Sequence, residues 1–414
     1  MTSPTTAVRP RPGVPWVKPS EQSGRWLRRR VGIAWALLLL NVMTFYPKTW
    51  SGQALTVPIP ASIGKLITQG ALPAALLVAL STNRRLWIRP NVFLCLVSLL
   101  IVEGVATITQ APHLGTIYRT FRLAEFVAVL WLLTPWWGRR DLLLLRSHLA
   151  AISVVLGSVV LGLLVAPGHA LAQGRLAGTL WPTPPTQVAE FAAVTMGLVV
   201  VLWLSNLVSG RVTLLVVAFT TAILLLTHTR TALIGAMAGL LVAGLSLFAW
   251  KSRVRKLFMT GAAVALIVAL TLSRAVTAWL ARGEGTQQLT NLTGRRLVWD
   301  AIVSIPRDWF QVLFGFGLSN KSFQGLPIDS NWLASYYDQG LFGVAVCAAM
   351  LIFLLLTAYF QPRGVQRALA LFLVVYCVIA SLTETGFTDA STYLLYLTLA
   401  ASMLVPPAAD SGAP

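Results

Sequence analysis

The sequence predicts an all-α polytopic membrane protein: about twelve transmembrane helices and one large extracytoplasmic loop carrying short helices. Three observations predict it. Hydrophobic residues fill 56% of 414 positions and charged residues only 11%, where a soluble domain carries about 25%; mean hydropathy is +0.74. Apolar runs near the roughly 20 residues that cross about 30 Å of hydrocarbon recur along the chain. Lys and Arg gather in short connections between alternate pairs of runs. The net charge of +19 would suggest nucleic acid in a soluble chain. Here the positive-inside rule explains most of it, and no nucleic-acid partner is called for. Cys95, Cys347 and Cys377 all lie inside apolar runs and read as small core residues, with no disulfide framework.

In chain order, residues 1–24 hold five prolines, several Ser and Thr and no aliphatic cluster, a composition expected of a disordered cytoplasmic tail. The first apolar run starts after residue 30 and continues as a span, so no cleavable signal peptide is expected. Arg25, Arg28, Arg29 and Arg30 anchor that span, about 31–46, on the cytoplasmic side. Further spans are expected at about 62–81, 91–108, 117–137, 148–166, 187–208, 212–227, 231–250, 257–273, 339–360, 368–383 and 390–405. The division is then a bundle over 25–273, a catalytic loop over 274–338, three spans over 339–405 and a cytoplasmic tail over 406–414. Both termini fall on the cytoplasmic side. The N-terminal tail and the connections at 82–90, 138–147, 209–211, 251–256 and 361–367 hold 20 of the 32 Lys and Arg, which makes those faces cytoplasmic. The other 12 fall on or just below the opposite face, where topology asks for no cations and an anionic partner does.

The polar island between Arg274 and Asp338 reads as a lid over an outer-face active site. It gathers Arg295, Arg296, Arg307, Lys321, Asp300, Asp308, Asp329 and Asp338, and it places five aromatics between Trp299 and Trp332. The glycine pairs Gly315/Gly317 and Gly340/Gly343 punctuate it. Arg295 and Trp299 share one face of a helix, and Arg296 and Asp300 the next; Pro306 ends or kinks that helix. Asp329 sits in a loop before the final outer helix, where an N-cap and a catalytic carboxylate are equally weighted and compatible readings. That helix enters the membrane at about Gly340.

Three other outer-face elements converge with the island. YRTFRLAEF puts Arg119, Arg122 and Glu125 at the start of a span, with a pair of Arg122 to Glu125 or Glu103 as the plain alternative. GRLAGTLWPTPPTQ contributes Arg175 from an irregular Gly/Pro-fixed loop, which also reads as a rigid connector. THTRT is a very short turn that holds Arg230 at a helix start beside His228. The helix dipole already favours an anion there, and the guanidinium fork suits phosphate oxygens; a snorkelling surface arginine is the plain alternative. The four histidines have no metal-ligand spacing, and neither a phosphate-binding glycine loop nor a dinucleotide fingerprint is present.

These segments resemble a known family. THTRTALIGAMAGLL resembles the short Arg-bearing outer turn and following helix of O-antigen ligases and related polysaccharide polymerases. TGRRLVWDAI…LFGFG resembles their GR…W…fGxG segment, DSNWLASYYDQGLFG their HN-x-Y-L-x-x-x-x-E-x-G-x-x-G ending, and GRLAG…PTPP their R-x-x-G…P-N loop. The order and spacing of the motifs cover most of the chain. Asp329 stands where the ligases usually have histidine, Ser330 where asparagine is common, and Asp338 where glutamate is usual.

The resemblance implies a GT-C membrane glycosyltransferase that moves a glycan from a polyprenyl (undecaprenyl-type) diphosphate carrier to an acceptor hydroxyl on a glycan, lipid or cell-wall acceptor. It implies no nucleotide sugar, no divalent metal and no other cofactor. On that basis Arg230 and Arg295 or Arg296 bind diphosphate, with Arg119, Arg122, Arg175 and His228 in support. Asp329 is the expected base with Asp300 second, and Trp299, Trp332 and Tyr336 stack sugar rings. Two other classes stay open: a twelve-span secondary transporter of an anionic substrate, and a non-catalytic scaffold of an envelope assembly complex. A transporter would show repeat symmetry and broken helices with ionisable groups near mid-membrane.

Overall fold

A computed structural model describes residues 21–43, 59–110, 112–171, 174–248, 253–256, 260, 295–319 and 321–406. The expected span at 257–273 apart from residue 260, most of the N-terminal tail and the loop opening at 274–294 lie outside the described residues. The described residues are all-α apart from one two-stranded hairpin. Among the described residues seven helices are long and apolar enough to cross a membrane, in keeping with a polytopic membrane protein.

The helices are α1 (Glu21–Val42), α2 (Ala61–Thr82), α3 (Val92–Gln110), α4 (Leu114–Leu133), α5 (Leu143–Val165), the single turn α6 (Pro167–Ala170), α7 (Pro185–Leu204), α8 (Gly210–Thr227) and α9 (Arg230–Phe248). After these come α10 (Arg295–Ser304), α11 (Trp309–Phe314), the antiparallel hairpin β1 (Ser322–Phe323) and β2 (Leu326–Pro327), α12 (Asn331–Phe360), α13 (Val365–Ala380) and α14 (Thr392–Leu404). The first helix runs back to Glu21, ten residues before the expected span. Within it the Arg30 guanidinium lies over the Trp26 ring, and its Nη1 donates to Ser81 O of α2 at 3.2 Å.

Lipid tails are as apolar as leucine, so packing between helices here depends on close approach rather than on the hydrophobic effect. On α9 the small residues Gly235 and Gly239 accept the Tyr376 and Phe372 rings of α13; a Cβ at Gly239 would sit 2.8 Å from Phe372 O. Helix α7 is buried along almost its whole length and forms the centre of the bundle.

Helix α12 is broken at Gly340, whose backbone is left-handed (φ 62°). The chain just after α11 crosses this break backbone against backbone. A Cβ on Gly315 would lie 2.4 Å from the Asp338 carbonyl carbon, and one on Gly340 2.4 Å from that of Leu313. The crossing strand supplies donors to carbonyls just before the break: Phe316 N to Tyr337 O at 3.0 Å and Gly317 N to Asp338 O at 2.8 Å. A broken helix at membrane depth is tolerated when its freed backbone groups are satisfied in this way. Gly315 and Gly340, one from each glycine pair of the sequence, are therefore the two sides of one crossing. Helix α10 ends at Ser304, ahead of Pro306.

Candidate active site

The turn between α8 and α9 is set by His228, whose left-handed backbone (φ 50°) ends α8 and lets α9 begin at Arg230. Arg175 braces this turn from the 171–184 loop: its Nε donates to Thr227 O at 2.9 Å and its Nη2 to Thr229 Oγ1 at 3.2 Å. Arg175 and half-buried Arg230 are thus brought together. Thr231, in the first turn of α9, shares a hydrogen bond of 2.7 Å with Thr383 in the loop between α13 and α14.

Helix α10 delivers Arg295 to the same neighbourhood, where its Nε donates to Asp329 Oδ2 at 2.9 Å. This overturns one reading of Asp329. The N-cap of α12 is Ser330, whose side chain makes no capping bond, and the Asp329 carboxylate turns to Arg295 instead. The start of α12 is stitched to the α13–α14 loop. Asn331 N donates to Ser381 O at 3.0 Å, Phe387 N donates to Asn331 Oδ1 at 3.0 Å, and Trp332 Nε1 donates to Ser381 Oγ at 3.1 Å.

That loop carries Glu384, which the sequence reasoning missed. Its charged neighbours are Glu190 of α7, Asp329, Arg295 and Arg175. Burial first, then Glu190 and Asp329, push its carboxyl up to about 8 against the pull of Arg295 and Arg175. The signal that could have found it is the turn SLTETGFTDAS, an acidic interruption between the last two apolar runs. Between its ordinary value of 4.5 and about 8 the folded protein keeps a proton here that the unfolded chain releases. The associated stability is complete below the ordinary value and is lost as pH rises through about 8. Glu384→Gln should therefore flatten the decline in Tm between about pH 5 and about pH 9; an undiminished decline would assign it to other groups.

A second group lies around a cavity of about 790 Å³, whose walls include Thr116, Arg119, Asp308, Phe316, Ser319 and Tyr337. Beside it Lys321 Nζ lies 3.4 Å from Asp389 Oδ2, the two side chains 15% and 5% exposed. Burial pushes the Asp389 carboxyl up, but Lys321, then Arg122 and Arg119, outweigh it and hold it below the usual carboxylate range. Arg122 is paired internally, though with neither expected glutamate. Its Nε and Nη2 donate to Asn41 Oδ1 at 3.3 and 3.2 Å, and Nη2 also to Asn41 O at 3.3 Å.

The remaining candidates are placed elsewhere. Arg296 and Asp300 form a loose pair at 3.8 Å on the outer face of α10, 70% and 73% exposed, because the buried stripe of that helix is Val298 and Ile302. Trp299 packs on the small core of Val298, Ile302, Ile328 and Ala334 beneath α10. Trp332 packs against the main core. The Tyr336 ring lies 4.1 Å from the Arg307 guanidinium carbon, and Arg307 Nη1 donates to Tyr336 O at 3.0 Å. All three are thus engaged in packing, while Phe310, Phe316 and Tyr337 line the cavity. No family model matches the chain, and no curated protein matches it.

Proposed function

We propose that the chain is a metal-independent membrane glycosyltransferase of the GT-C type, acting in cell-surface polysaccharide assembly as a ligase or polymerase. It takes a glycan from a polyprenyl-diphosphate carrier and passes it to an acceptor hydroxyl at the extracytoplasmic face of the cytoplasmic membrane. Both termini are then cytoplasmic. The observation that carries this reading is the convergence of Arg175, the Arg230 turn, Arg295 and Asp329 from four separate segments.

Departure of a lipid diphosphate develops negative charge, and fixed guanidinium groups in a site shielded from water stabilise it. Arg230 and Arg295 bind the diphosphate, and Arg175 fixes the turn that aims Arg230. The Arg295–Asp329 pair is half-exposed on both sides, so an arriving diphosphate can draw Arg295 away and free the carboxylate to accept the acceptor hydroxyl's proton. The anomeric carbon–phosphate oxygen bond breaks, the acceptor oxygen–anomeric carbon bond forms, and the polyprenyl diphosphate leaves with the bonding pair.

The direct test is the purified chain in nanodiscs with a defined polyprenyl-diphosphate oligosaccharide and a hydroxyl acceptor. Extended or ligated product with release of polyprenyl diphosphate is expected; intact donor after prolonged incubation would sink the reading. Orientation has its own test. In a Cys95→Ala background, Leu297→Cys should react with an impermeant thiol reagent in intact cells and Arg255→Cys should not; both positions are exposed. The opposite pattern would put the arginines on the wrong side. A second reading, secondary transport of an anionic substrate, is favoured by one observation: α12 is broken at Gly340 beside buried Glu103 and Asp338. Uptake of an anion into proteoliposomes without chemical change would support it.

A further inference from the structure

Below the cavity, where α3 packs on the broken α12, three polar side chains are almost fully enclosed. Glu103 and Asp338 are each 2% exposed and Gln339 is 0% exposed. Asp338 and Gln339 are the polar neighbours of Glu103. Both carboxylate oxygens of Glu103, Oδ1 of Asp338 and Oε1 of Gln339 have no hydrogen-bond partner in the protein. Lys321 acts on Asp338 from a distance but is paired with Asp389 at 3.4 Å, and Arg122 is bonded to Asn41. Ser319 bonds the Asp338 carboxylate and leaves Oδ1 over. The Gln339 amide donates to Thr388 O at a long 3.4 Å and also faces the Glu103 carboxylate, whose charged form it favours.

An enclosed carboxylate without a partner costs several kcal/mol, and two side by side repel each other as well. Four enclosed acceptor oxygens without a hydrogen bond of ordinary geometry, on two carboxyls that repel each other and one amide, favour an occupant that brings positive charge. They also sit at the C-terminal end of the first half of α12, which is the negative end of a helix dipole. The backbone carbonyls of Tyr337 and Asp338 already have donors in Phe316 and Gly317, so the unsatisfied groups are the side chains. We propose that Glu103, Asp338 and Gln339 form a binding site for a monovalent cation, sodium, lodged at the break in α12.

The ligand count argues against a divalent ion. Ca²⁺ takes six to eight oxygens and Mg²⁺ keeps several waters. Here two carboxylates and one amide converge, and among the described residues no three His, Cys, Asp or Glu side chains gather around a common point. Half-helix C-terminal ends at membrane depth are a known way to coordinate Na⁺. Access is from the cavity, since Ser319 and Tyr337 line it and Asp338 adjoins both. The bound ion would tie the first half of α12 to α3, and through Ser319 the segment that crosses the break. The inference does not depend on the transfer reaction, and its test needs no glycan.

The experiment measures binding of radioactive Na⁺ to the full chain in nanodiscs, together with Tm in sodium, potassium and choline chloride at equal ionic strength. Saturable binding and an upward Tm shift specific to sodium are expected. Glu103→Gln and Asp338→Asn should each lose both, while Asp141→Asn, remote from the cluster, should keep both. Absence of saturable binding by folded wild type would overturn the proposal. So would equal Tm in all three salts, or undiminished binding by Glu103→Gln. Should the variants fail to fold, the infrared difference spectrum of wild type between sodium and choline decides. A sodium-dependent change in carboxylate stretching supports the site; an unchanged carboxylate region overturns it.

Discussion

Replacement of Arg230 or Arg295 by lysine is expected to lower glycan transfer about tenfold to a thousandfold, about 1.4–4 kcal/mol of transition-state stabilisation, with the protein still folded and inserted. A lysine keeps the charge but not the planar fork that grips two phosphate oxygens at once. Arg295 has a further role, because its Nε holds Asp329 at 2.9 Å; Arg295→Lys therefore disturbs donor binding and the resting carboxylate together. Asp329→Asn should abolish transfer while donor binding persists, and the start of α12 should be unaffected because Ser330 is the cap residue there. Asp329→His, which places the ligases' usual residue here, should retain part of the activity. Normal turnover by Asp329→Asn would remove Asp329 as the base, and Glu384 then becomes the carboxyl to test. If both arginines tolerated lysine as well, the transfer mechanism would have lost its residues.

The largest structural effect is expected at the crossing of the segment after α11 over α12. Gly340→Ala places a Cβ 2.4 Å from the Leu313 carbonyl carbon, and Gly315→Ala places one 2.4 Å from that of Asp338, both at left-handed φ (62° and 73°). Backbone of this kind costs an ordinary residue about 1–3 kcal/mol, and forcing an extra methyl into packed backbone costs about 1–3 kcal/mol more. Each variant should lower Tm sharply and leave little folded protein on size-exclusion chromatography. Gly325→Ala is the useful contrast, since φ is also left-handed (82°) but no atom lies within 4 Å; it should bear only the conformational part. Equal loss at all three positions would mean that the crossing contributes nothing special.

How much of this was legible in the sequence depended on the kind of signal. Apolar runs announced the helices because lipid demands length and hydropathy from each one separately. Helices α7, α8 and α9 accordingly fall close to the expected 187–208, 212–227 and 231–250. The glycine spacing announced that something unusual happens at 315–317 and 340–343, but not that the two places touch, since no local pattern encodes a partner. Arg295 and Asp329, thirty-four positions apart, were each marked as functional, and only the fold makes them a pair. Glu384 and Asp389 were overlooked because the reading counted cations on the outer face and gave no weight to a short acidic turn. Trp299, Trp332 and Tyr336 match sugar-stacking types, and only the fold shows what each packs on: the small core under α10, the main core and the Arg307 guanidinium respectively.

The buried pair of Lys321 and Asp389 has a bearing on how the protein is made. Lys321 lies next to the hairpin of the lid, and its carbonyl accepts from Ile328 N at 2.9 Å, one residue before Asp329. Asp389 belongs to the loop ahead of the last helix, so the ribosome adds it 68 residues after Lys321. At roughly 5–20 residues per second that is a delay of seconds. During it the lysine has no anchor, and Ser381 and Phe387 are not yet there to hold Asn331 and Trp332. The arginine cluster thus becomes complete only after α13 is threaded and the α13–α14 loop has emerged. A chain stalled before that point would sit in the membrane without the contacts that seat the start of α12.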